Sequence, residues 1–355
     1  MTAERRIKYY QAINEALRQA MDEDPKVYLL GLGVPGPTGI FGTTSGLFDR
    51  FGPRRVLDMP SSESGMTGVA LGSTIAGFRP VMVHMRVDFA ILAMDQMVNQ
   101  VAKWHFMYGG KMRAPMVFRM IIGRGWGQGP QHSQSLQAWF AHVPGLKVIM
   151  PTTPYDVKGM LIAAIRDDAP VVVFEHRWLY GIEGEVPEES YEVPLDTARV
   201  ARAGKDITIA ATSYMVLEAL RAADILETLG IDAEVIDVRC LAPLDAGTLS
   251  RSVAKTGAIV AADTGTTAFG SAAEIITAVQ EAGAWQLKRP PRRIGLPNAP
   301  SPTSPSLADA FFPRAQHIVE TVAELFAIPA ERVPPEAAPE KRWRDVPDPT
   351  FTGPY

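Results

Sequence analysis

The sequence predicts an α/β protein built from two doubly wound domains, each with a mostly parallel sheet. Short apolar runs, too short and too rich in β-branched residues to be preferred as helices, alternate along the chain with longer segments whose apolar residues recur at every third and fourth position. The chain also has 355 residues, which favours two domains over one. We therefore expect two sheets whose strands are connected by helices.

The first domain is expected over residues 1–185. Its strand candidates are the apolar runs KVYLLGLGV, RPVMVHM, APMVFRMII, LKVIMPTT and PVVVFEH. The connecting helices are expected in the segments MTGVALGSTIAG, ILAMDQMVNQVAKWHFM, SQSLQAWFAH and PYDVKGMLIAAIRDD. A polar, turn-rich stretch follows, and we expect the linker there, over residues 186–204.

The second domain, expected over residues 205–330, repeats the alternation. Its strand candidates are DITIAATS, AEVIDVRCL, AIVAADT and RRIGLP, and its helix candidates are VLEALRAADILETLG, AGTLSRSVAKTG and SAAEIITAVQEAG. Gly230 and Gly257 stand where helices are expected to end. Residues 331–355 are dense in proline, which predicts an extended tail.

Composition limits the function classes. The net charge is -4, and basic and acidic residues are mixed without a basic stripe, so we do not expect a nucleic-acid partner. No run approaches the length of a membrane helix and the first residues lack a secretion signal, so we expect no membrane segment and a cytoplasmic location. The single cysteine, Cys240, cannot form a disulfide within the chain and is expected to be a buried thiol. The histidines show no spacing typical of a metal site.

Three residues have both a functional and a structural interpretation. Glu63, between a strand-like run and a helix of small residues, is either a proton-exchanging carboxylate or an acid at a helix N-terminus. Phe89 lies where a strand gives way to a helix, which is the usual place for a ligand-facing side chain, although a core position is the alternative. His132 follows the glycine-rich run GRGWGQG at the expected start of a helix, and it is either a proton-transfer group on a flexible loop or an ordinary surface histidine. That run lacks the helix context of a dinucleotide loop and the lysine of a phosphate loop.

Longer motifs carry a resemblance over about residues 5–327, and they include DQMVNQVAKWHFMYGG, QHSQSLQAWFAHVPGLKVIMPTTPYDVKGM, GKDITIAATS and EVIDVRCLAPLD. Through them the chain resembles the beta subunits of thiamine-diphosphate-dependent 2-oxo-acid dehydrogenases, the decarboxylating first component of pyruvate and branched-chain complexes. The resemblance implies a pyrimidine-binding domain followed by a transketolase C-terminal domain. It also implies an α2β2 heterotetramer with a separate alpha subunit.

The resemblance further implies roles for individual residues. Glu63 would hydrogen-bond the ring nitrogen of the aminopyrimidine, which favours the tautomer that activates the thiazolium carbon. Phe89 would stack on the aminopyrimidine, and His132 would act in the HSQ loop, associated with reaction intermediates and with acyl transfer to a lipoyl acyltransferase. A potassium ion bound by main-chain carbonyls is implied at Met116, Ala164, Ile165, Asp167 and Ala169.

Some features depart from the resemblance. The chain lacks the Gly-Asp-Gly motif followed by Asn that holds magnesium and the cofactor's diphosphate, so the alpha subunit is expected to supply that site. Leu32 and Gly33 replace two usual acids, and Arg86 and Trp126 stand where other residue types are more common. Two alternatives stay open, half of a split transketolase-like or carboligating synthase and a non-catalytic nucleotide-binding subunit. The 2-oxo acid itself is left open, because the partner chain is expected to contact its side chain.

Overall fold

The computed structural model of the protein describes residues 5–123, 127–283 and 287–336. The chain forms two compact units. Among the described residues, the first unit contains 5–122 and 139–195, and the second contains the remainder. The division after Leu195 lies inside the stretch expected as the linker. The histidine-bearing segment 123–138 belongs to the second unit, although it lies within the first predicted domain.

The first unit is built around a parallel sheet. Its strands are β1 (Arg6–Lys8), β2 (Val27–Leu30), β3 (Val56–Leu57), β4 (Arg79–His84), β5 (Val117–Ile122), β6 (Lys147–Ile149), β7 (Val171–His176) and β8 (Glu183–Glu185). Six of them lie side by side in the order β3-β2-β4-β5-β7-β6, with every neighbouring pair parallel. β1 and β8 form a separate antiparallel ribbon. Strands β5 and β7 are buried along their whole length, as expected for central strands of a parallel sheet.

Helices connect these strands. They are α1 (Tyr9–Glu23), α2 (Leu47–Phe51), α3 (Glu63–Ile75), α4 (Val87–Ala90), α5 (Trp104–Met107), α6 (Gln137–Ala141) and α7 (Pro154–Arg166), with a short 3-10 turn at Arg177–Leu179. α1 packs against α7, where Glu15 accepts a 2.6 Å hydrogen bond from the fully buried Lys158 ammonium. α7 begins because Thr153 accepts a hydrogen bond from the Asp156 amide, and Pro154 suits the first helical position.

The segment that follows β4 is not the single regular helix that its apolar period predicts. α4 and α5 are separated by a 3-10 turn at Ile91–Ala93, a π-helical stretch at Asp95–Gln100 and a second 3-10 turn at Val101–Lys103. Such π-helical insertions cost regular hydrogen bonding and are frequent near functional sites. The irregular segment begins two residues after Phe89, which agrees with a functional role for that region. The apolar period of the sequence does not predict the irregularity.

The second unit has its own sheet. The strands of this unit are β9 (Arg199–Arg202), β10 (Ile207–Ala211), β11 (Ala233–Asp237), β12 (Cys240–Ala242), β13 (Ile259–Thr266) and β14 (Arg292–Leu296). Its helices are α8 (Met215–Thr228), α9 (Ala246–Thr256), α10 (Ser271–Glu281), α11 (Pro305–Phe311) and α12 (Ala315–Leu325), and a 3-10 turn follows at Ala330–Arg332. The sheet order is β14-β13-β10-β11-β9, and only β9 is antiparallel to its neighbour. β9 thus adds an edge strand within the stretch expected as linker.

Helices cover both faces of this second sheet. Ile207 and Ile209 point into a core shared with α8 and α12. Thr208, which faces the opposite side because side chains alternate along a strand, hydrogen-bonds Ser252 and Thr256 of α9 at 2.7 and 2.8 Å. The predicted fold class, α/β with two doubly wound domains, is therefore confirmed.

Both glycines predicted to follow helices have left-handed backbone. Gly230 has φ 82°, and Gly257 is the C-cap of α9 with φ 75°. Cys240 is buried, as its strand-like sequence predicts, and burial raises the pKa of its thiol to about 12. No helix in the described part of the chain is long and apolar enough to cross a bilayer.

Candidate active site

Two of the three candidate residues follow strands of the first sheet at its carboxyl edge. Glu63 follows β3 and Phe89 follows β4, and β2 lies between these two strands. The carboxyl ends of parallel strands meet at one edge, which is where open α/β sheets bind ligands. Helix α3 also packs against β4 and against the 3-10 turn that begins just after Phe89. The first unit therefore brings Glu63 and Phe89 to the same edge.

Glu63 is the first residue of α3 and is 8% exposed. Its main-chain carbonyl accepts a 2.7 Å hydrogen bond from the Thr67 hydroxyl, which lies 3.2 Å from the Met82 sulfur on β4. Within the described residues, the Glu63 carboxylate itself has no hydrogen-bond or ionic partner. Glu63 is buried as a residue, but its carboxylate oxygens are not among the described side-chain atoms that are sealed from solvent without a partner, so the carboxylate is available to a hydrogen-bonding ligand. The helix N-terminus also favours its negative charge.

The loop that leads into α3 is held by Asp58. Its carboxylate accepts 2.8 and 2.9 Å hydrogen bonds from the amides of Gly33 and Met59. Gly33 has φ 74°, a left-handed conformation that other residues adopt only with strain. Gly33, which stands in place of an acid, therefore belongs to a tight turn that is hydrogen-bonded to the loop before Glu63. Leu32, which stands in place of the other acid, is partly exposed.

Phe89 is half-buried within the short helix α4. Just before it, the side chain of Arg86 is 4% exposed, and burial lowers the pKa of its guanidinium. His84, at the end of β4, is also buried, and burial lowers the pKa of its imidazole from 6.5 to about 4. The residues before Phe89 thus form a buried polar stretch, which an ordinary core position would not have.

His132 lies in the second unit, on a segment that closes on itself. The Gly123 amide donates to the Gln134 carbonyl at 3.3 Å, and the His132 amide donates to the Gly129 carbonyl at 3.3 Å. The predicted helix SQSLQAWFAH is too long, because α6 begins only at Gln137 and ends at Ala141. His132 is therefore part of a turn five residues before the helix, and not a residue at the helix N-terminus. Trp126 lies outside the described residues.

A buried charge network that the sequence motifs do not predict supports the first sheet. Arg119 on β5 and Glu175 on β7 are both fully buried and form a two-bond ion pair at 2.6 and 2.8 Å. The Tyr180 hydroxyl donates to the same carboxylate at 2.5 Å, and burial raises the pKa of that phenol well above its usual value. Charged residues inside the strand runs APMVFRMII and PVVVFEH are the signal that could have revealed the pair.

The main-chain carbonyls expected around a potassium ion lie at the end of α7, at the residue before β5 and in the turn before β7. The Arg79 guanidinium donates to the carbonyls of Ile165 at 3.2 Å and Asp167 at 2.8 Å, and to the Asp168 carboxylate at 2.8 Å. The Met116 carbonyl accepts the Val171 amide at 3.0 Å. Two of the five expected ligands therefore already face a fixed positive charge. In the described part of the chain, no group of three or more His, Cys, Asp or Glu side chains is arranged to hold a metal.

Comparison with known proteins agrees with the two-unit architecture. The description "Transketolase, pyrimidine binding domain" matches residues 5–183, and "Transketolase, C-terminal domain" matches residues 196–318. The beta subunit of acetoin:2,6-dichlorophenolindophenol oxidoreductase from Cupriavidus necator is 42% identical over 88% of this chain and 96% of its own length. The mitochondrial pyruvate dehydrogenase E1 component subunit beta-2 of Oryza sativa subsp. japonica is 42% identical over 87% of this chain and 83% of its own length.

The chain belongs to the transketolase-like family of dehydrogenase beta subunits. The same fold occurs in a solved structure described as a split gene transketolase, inactive beta4 tetramer. That structure covers 91% of this beta subunit with a TM-score of 0.73 at 24% sequence identity, so the likeness concerns the fold alone. The resemblance seen in the sequence motifs is thus confirmed for the family and its fold.

Proposed function

We propose that this beta subunit supplies the proton-handling half of a thiamine-diphosphate site and, with an alpha subunit, decarboxylates a 2-oxo acid. The observation that carries the proposal is Glu63, a residue only 8% exposed at the carboxyl edge of the first sheet, whose carboxylate has no partner among the described residues. A carboxylate in that position fits the ring nitrogen of an aminopyrimidine, which needs one hydrogen-bonding acid. The residues present therefore fit the cofactor's pyrimidine.

Glu63 would hold and exchange one proton at that ring nitrogen. The Thr67 hydroxyl contacts both the Glu63 main-chain carbonyl and Met82 on β4, so the main chain that carries the carboxylate is fixed against the sheet. Fixed geometry matters because an acid or base must lie within hydrogen-bond reach of the atom it serves. When bound, the cofactor supplies a nucleophilic carbon and a positively charged ring that takes up the electrons released as carbon dioxide leaves.

Phe89 would orient the aminopyrimidine by stacking. Its ring is half-buried on α4, so one part packs in the unit and another part is accessible. An offset stack between two aromatic rings contributes about 0.5–1.5 kcal/mol beyond the area that it buries. The stack would add little to the binding free energy. Its main effect would be to fix the plane of the pyrimidine ring, and with it the direction from which the ring nitrogen faces Glu63.

His132 would transfer protons during acyl transfer to a lipoyl acyltransferase. The segment that carries it contains Gly127 and Gly129 with φ 78° and 70°, conformations that glycine adopts without strain. Such residues let the chain turn tightly just before His132, so that the imidazole is presented from a turn of defined course. The role rests on the HSQ resemblance and on this loop geometry.

The alpha subunit would hold the diphosphate and magnesium, because this chain lacks the Gly-Asp-Gly motif for them. An exposed apolar face on the first unit supports a partner. Val69 and Ile75 on α3 and Leu92 beside it are exposed, and a Cβ added to Gly72 would meet no atom within 4 Å. Such a face, with small residues that let another helix approach closely, is typical of a protein interface. We infer an α2β2 assembly with this face covered.

The proposed potassium site fits less well than the pyrimidine site. A potassium ion at the Ile165 and Asp167 carbonyls would approach the Arg79 guanidinium, which already donates to both. We propose that Arg79 supplies the positive charge at this helix end and that a potassium ion competes with it. A helix C-terminus favours a cation, and a guanidinium satisfies that preference from within the chain.

Acetoin is a second candidate substrate. The observation that favours it is the 42% identity, over 96% of its own length, with a subunit whose name states acetoin:2,6-dichlorophenolindophenol oxidoreductase activity. Both substrates need the same activated carbon, so the residues above serve either reaction. The two reactions differ in the carbon–carbon bond that breaks. A 2-oxo acid releases carbon dioxide, whereas acetoin would release an aldehyde.

The experiment is a two-chain assay. The beta subunit is purified with a candidate alpha chain that carries the Gly-Asp-Gly motif, and the reduction of 2,6-dichlorophenolindophenol is followed with thiamine diphosphate, magnesium and either 2-oxo acids or acetoin. Acyl transfer is then measured with a lipoyl domain. We expect turnover only when both chains are present. Full activity of the single chain would contradict the shared site, and turnover only with sugar-phosphate donors and aldehyde acceptors would favour the split transketolase.

A further inference from the structure

A buried carboxylate of the second unit fixes the end of the segment that carries His132. Gln137, the first residue of α6, is 1% exposed, and its side-chain amide donates to Asp263 Oδ1 at 2.8 Å. Asp263 lies on β13 and is also 1% exposed. A hydrogen bond to a carboxylate is about twice as strong as a neutral one, and here it is shielded from water.

Asp263 is itself held in one orientation. The same oxygen accepts hydrogen bonds from the Thr212 hydroxyl at 2.6 Å and from the Thr264 amide at 2.8 Å. Thr212 follows β10 and Thr264 belongs to β13, so two neighbouring strands fix the carboxylate. Its position is therefore set by the sheet and not by the segment that it holds.

The space around the contact leaves little room for another arrangement. A Cβ added to Gly265 would lie 3.0 Å from the Gln137 amide nitrogen and 3.1 Å from Asp263 Oδ2. Glycine at this position lets the amide reach the carboxylate. The contact thus depends on Gln137 and on two residues of β13, Asp263 and Gly265, that are distant from it in the sequence.

We propose that Asp263, acting through Gln137, is a positioning residue for His132. Gln137 is five positions after His132, so the tether confines the His132 Cα to within about 17 Å of a fixed point even if the turn opens. At the other end the segment is closed by the Gly123–Gln134 hydrogen bond. The inference rests on the proposed function, since it assigns a task to the histidine of that site.

The role requires that loss of the tether slow the chemistry more than it weakens substrate binding. A displacement of about 1 Å in a catalytic group can reduce the rate by about a hundredfold. Gln137→Ala removes the tether but leaves Asp263 its hydrogen bonds from Thr212 and Thr264. Gln137→Glu is harsher, because it places two carboxylates in contact in a buried site.

The test uses the two-chain holoenzyme and two readouts. In Gln137→Ala and Gln137→Glu we expect kcat to fall at least tenfold with KM within twofold, and amide hydrogen exchange to become faster across residues 127–137. The matched control is Asp245→Asn, which weakens a carboxylate that accepts the Thr248 amide at 2.9 Å elsewhere in the same unit.

Each other outcome is decisive. Unchanged exchange in Gln137→Ala would show that the contact is not a tether, and faster exchange with unchanged kcat would show that the tether does not position His132. An equal fall of kcat in Asp245→Asn would mean that general loosening of the unit is the cause. An inactive wild-type complex would overturn the proposed function and with it the positioning of a catalytic histidine, while the exchange measurement alone would still decide whether the tether exists.

Discussion

His84 should make the stability of this chain depend on pH in a way that can be calculated. The side chain is 2% exposed at the end of β4, and burial lowers the pKa of its imidazole from 6.5 to about 4. Because the folded state binds the proton more weakly than the unfolded state, the stability is fully present above pH 6.5 and is lost as the pH falls towards 4. At pH 5.0 proton binding by His84 shifts the folding equilibrium towards the unfolded state about thirtyfold, which corresponds to about 2 kcal/mol.

The assay is urea unfolding of the wild type and of His84→Phe at pH 7.5 and pH 5.0. Phenylalanine keeps an aromatic ring in the buried position and removes the titration. The wild type should lose about 2 kcal/mol more than the variant between the two pH values. His142→Gln, which changes an exposed histidine, should leave the wild-type difference unchanged. Equal pH dependence in the wild type and His84→Phe would refute the assignment of the effect to His84.

Three further changes test other parts of the structure. Glu175→Gln should lower the free energy of unfolding by about 3–5 kcal/mol, because it leaves the positive charge of the fully buried Arg119 without a counter-ion. A loss below about 1 kcal/mol would show that water reaches the ion pair. Arg79→Gln should make the thermal midpoint higher in potassium than in sodium chloride, whereas the wild type should show no difference; a potassium effect in the wild type would mean that Arg79 does not replace the ion. Gly39→Ala should destabilise by about 1–3 kcal/mol, because φ is 58° and the new Cβ would lie 2.5 Å from a main-chain nitrogen, while Gly72→Ala, with open space around it, should be neutral or slightly stabilising.

The sequence predicts the sheets well because parallel strands are apolar along their whole length. The runs around β4, β5 and β7 therefore stand out from their surroundings. The helices α1, α11 and α12 lie outside the predicted elements, and the break of the helix after Phe89 has no signal in its apolar period. The extended tail stays a prediction, since residues 337–355 lie outside the described part. The cytoplasmic location also stays a prediction, because no feature of the fold tests it.

The candidate site was less predictable, because its geometry depends on contacts between distant residues. Glu63 could be found from its place before a helix of small residues, but only the fold shows that the residue is largely buried while its carboxylate has no partner among the described residues. His132 was recognised through its motif, although the predicted helix start beside it was wrong. The contact between Gln137 and Asp263 joins positions 126 residues apart, and a pattern read along the chain cannot reveal it.

The central claim is that Glu63 handles a proton on the cofactor, and one substitution tests it. Glu63→Gln keeps the size and the hydrogen-bonding capacity of the side chain but removes the acid. The two-chain complex carrying it should assemble normally and lose at least a hundredfold in kcat with every active substrate, in line with the usual contribution of a positioned acid or base. Glu183→Gln, which changes an exposed glutamate of the same unit, should retain full activity. Full activity of the Glu63→Gln complex would contradict the account.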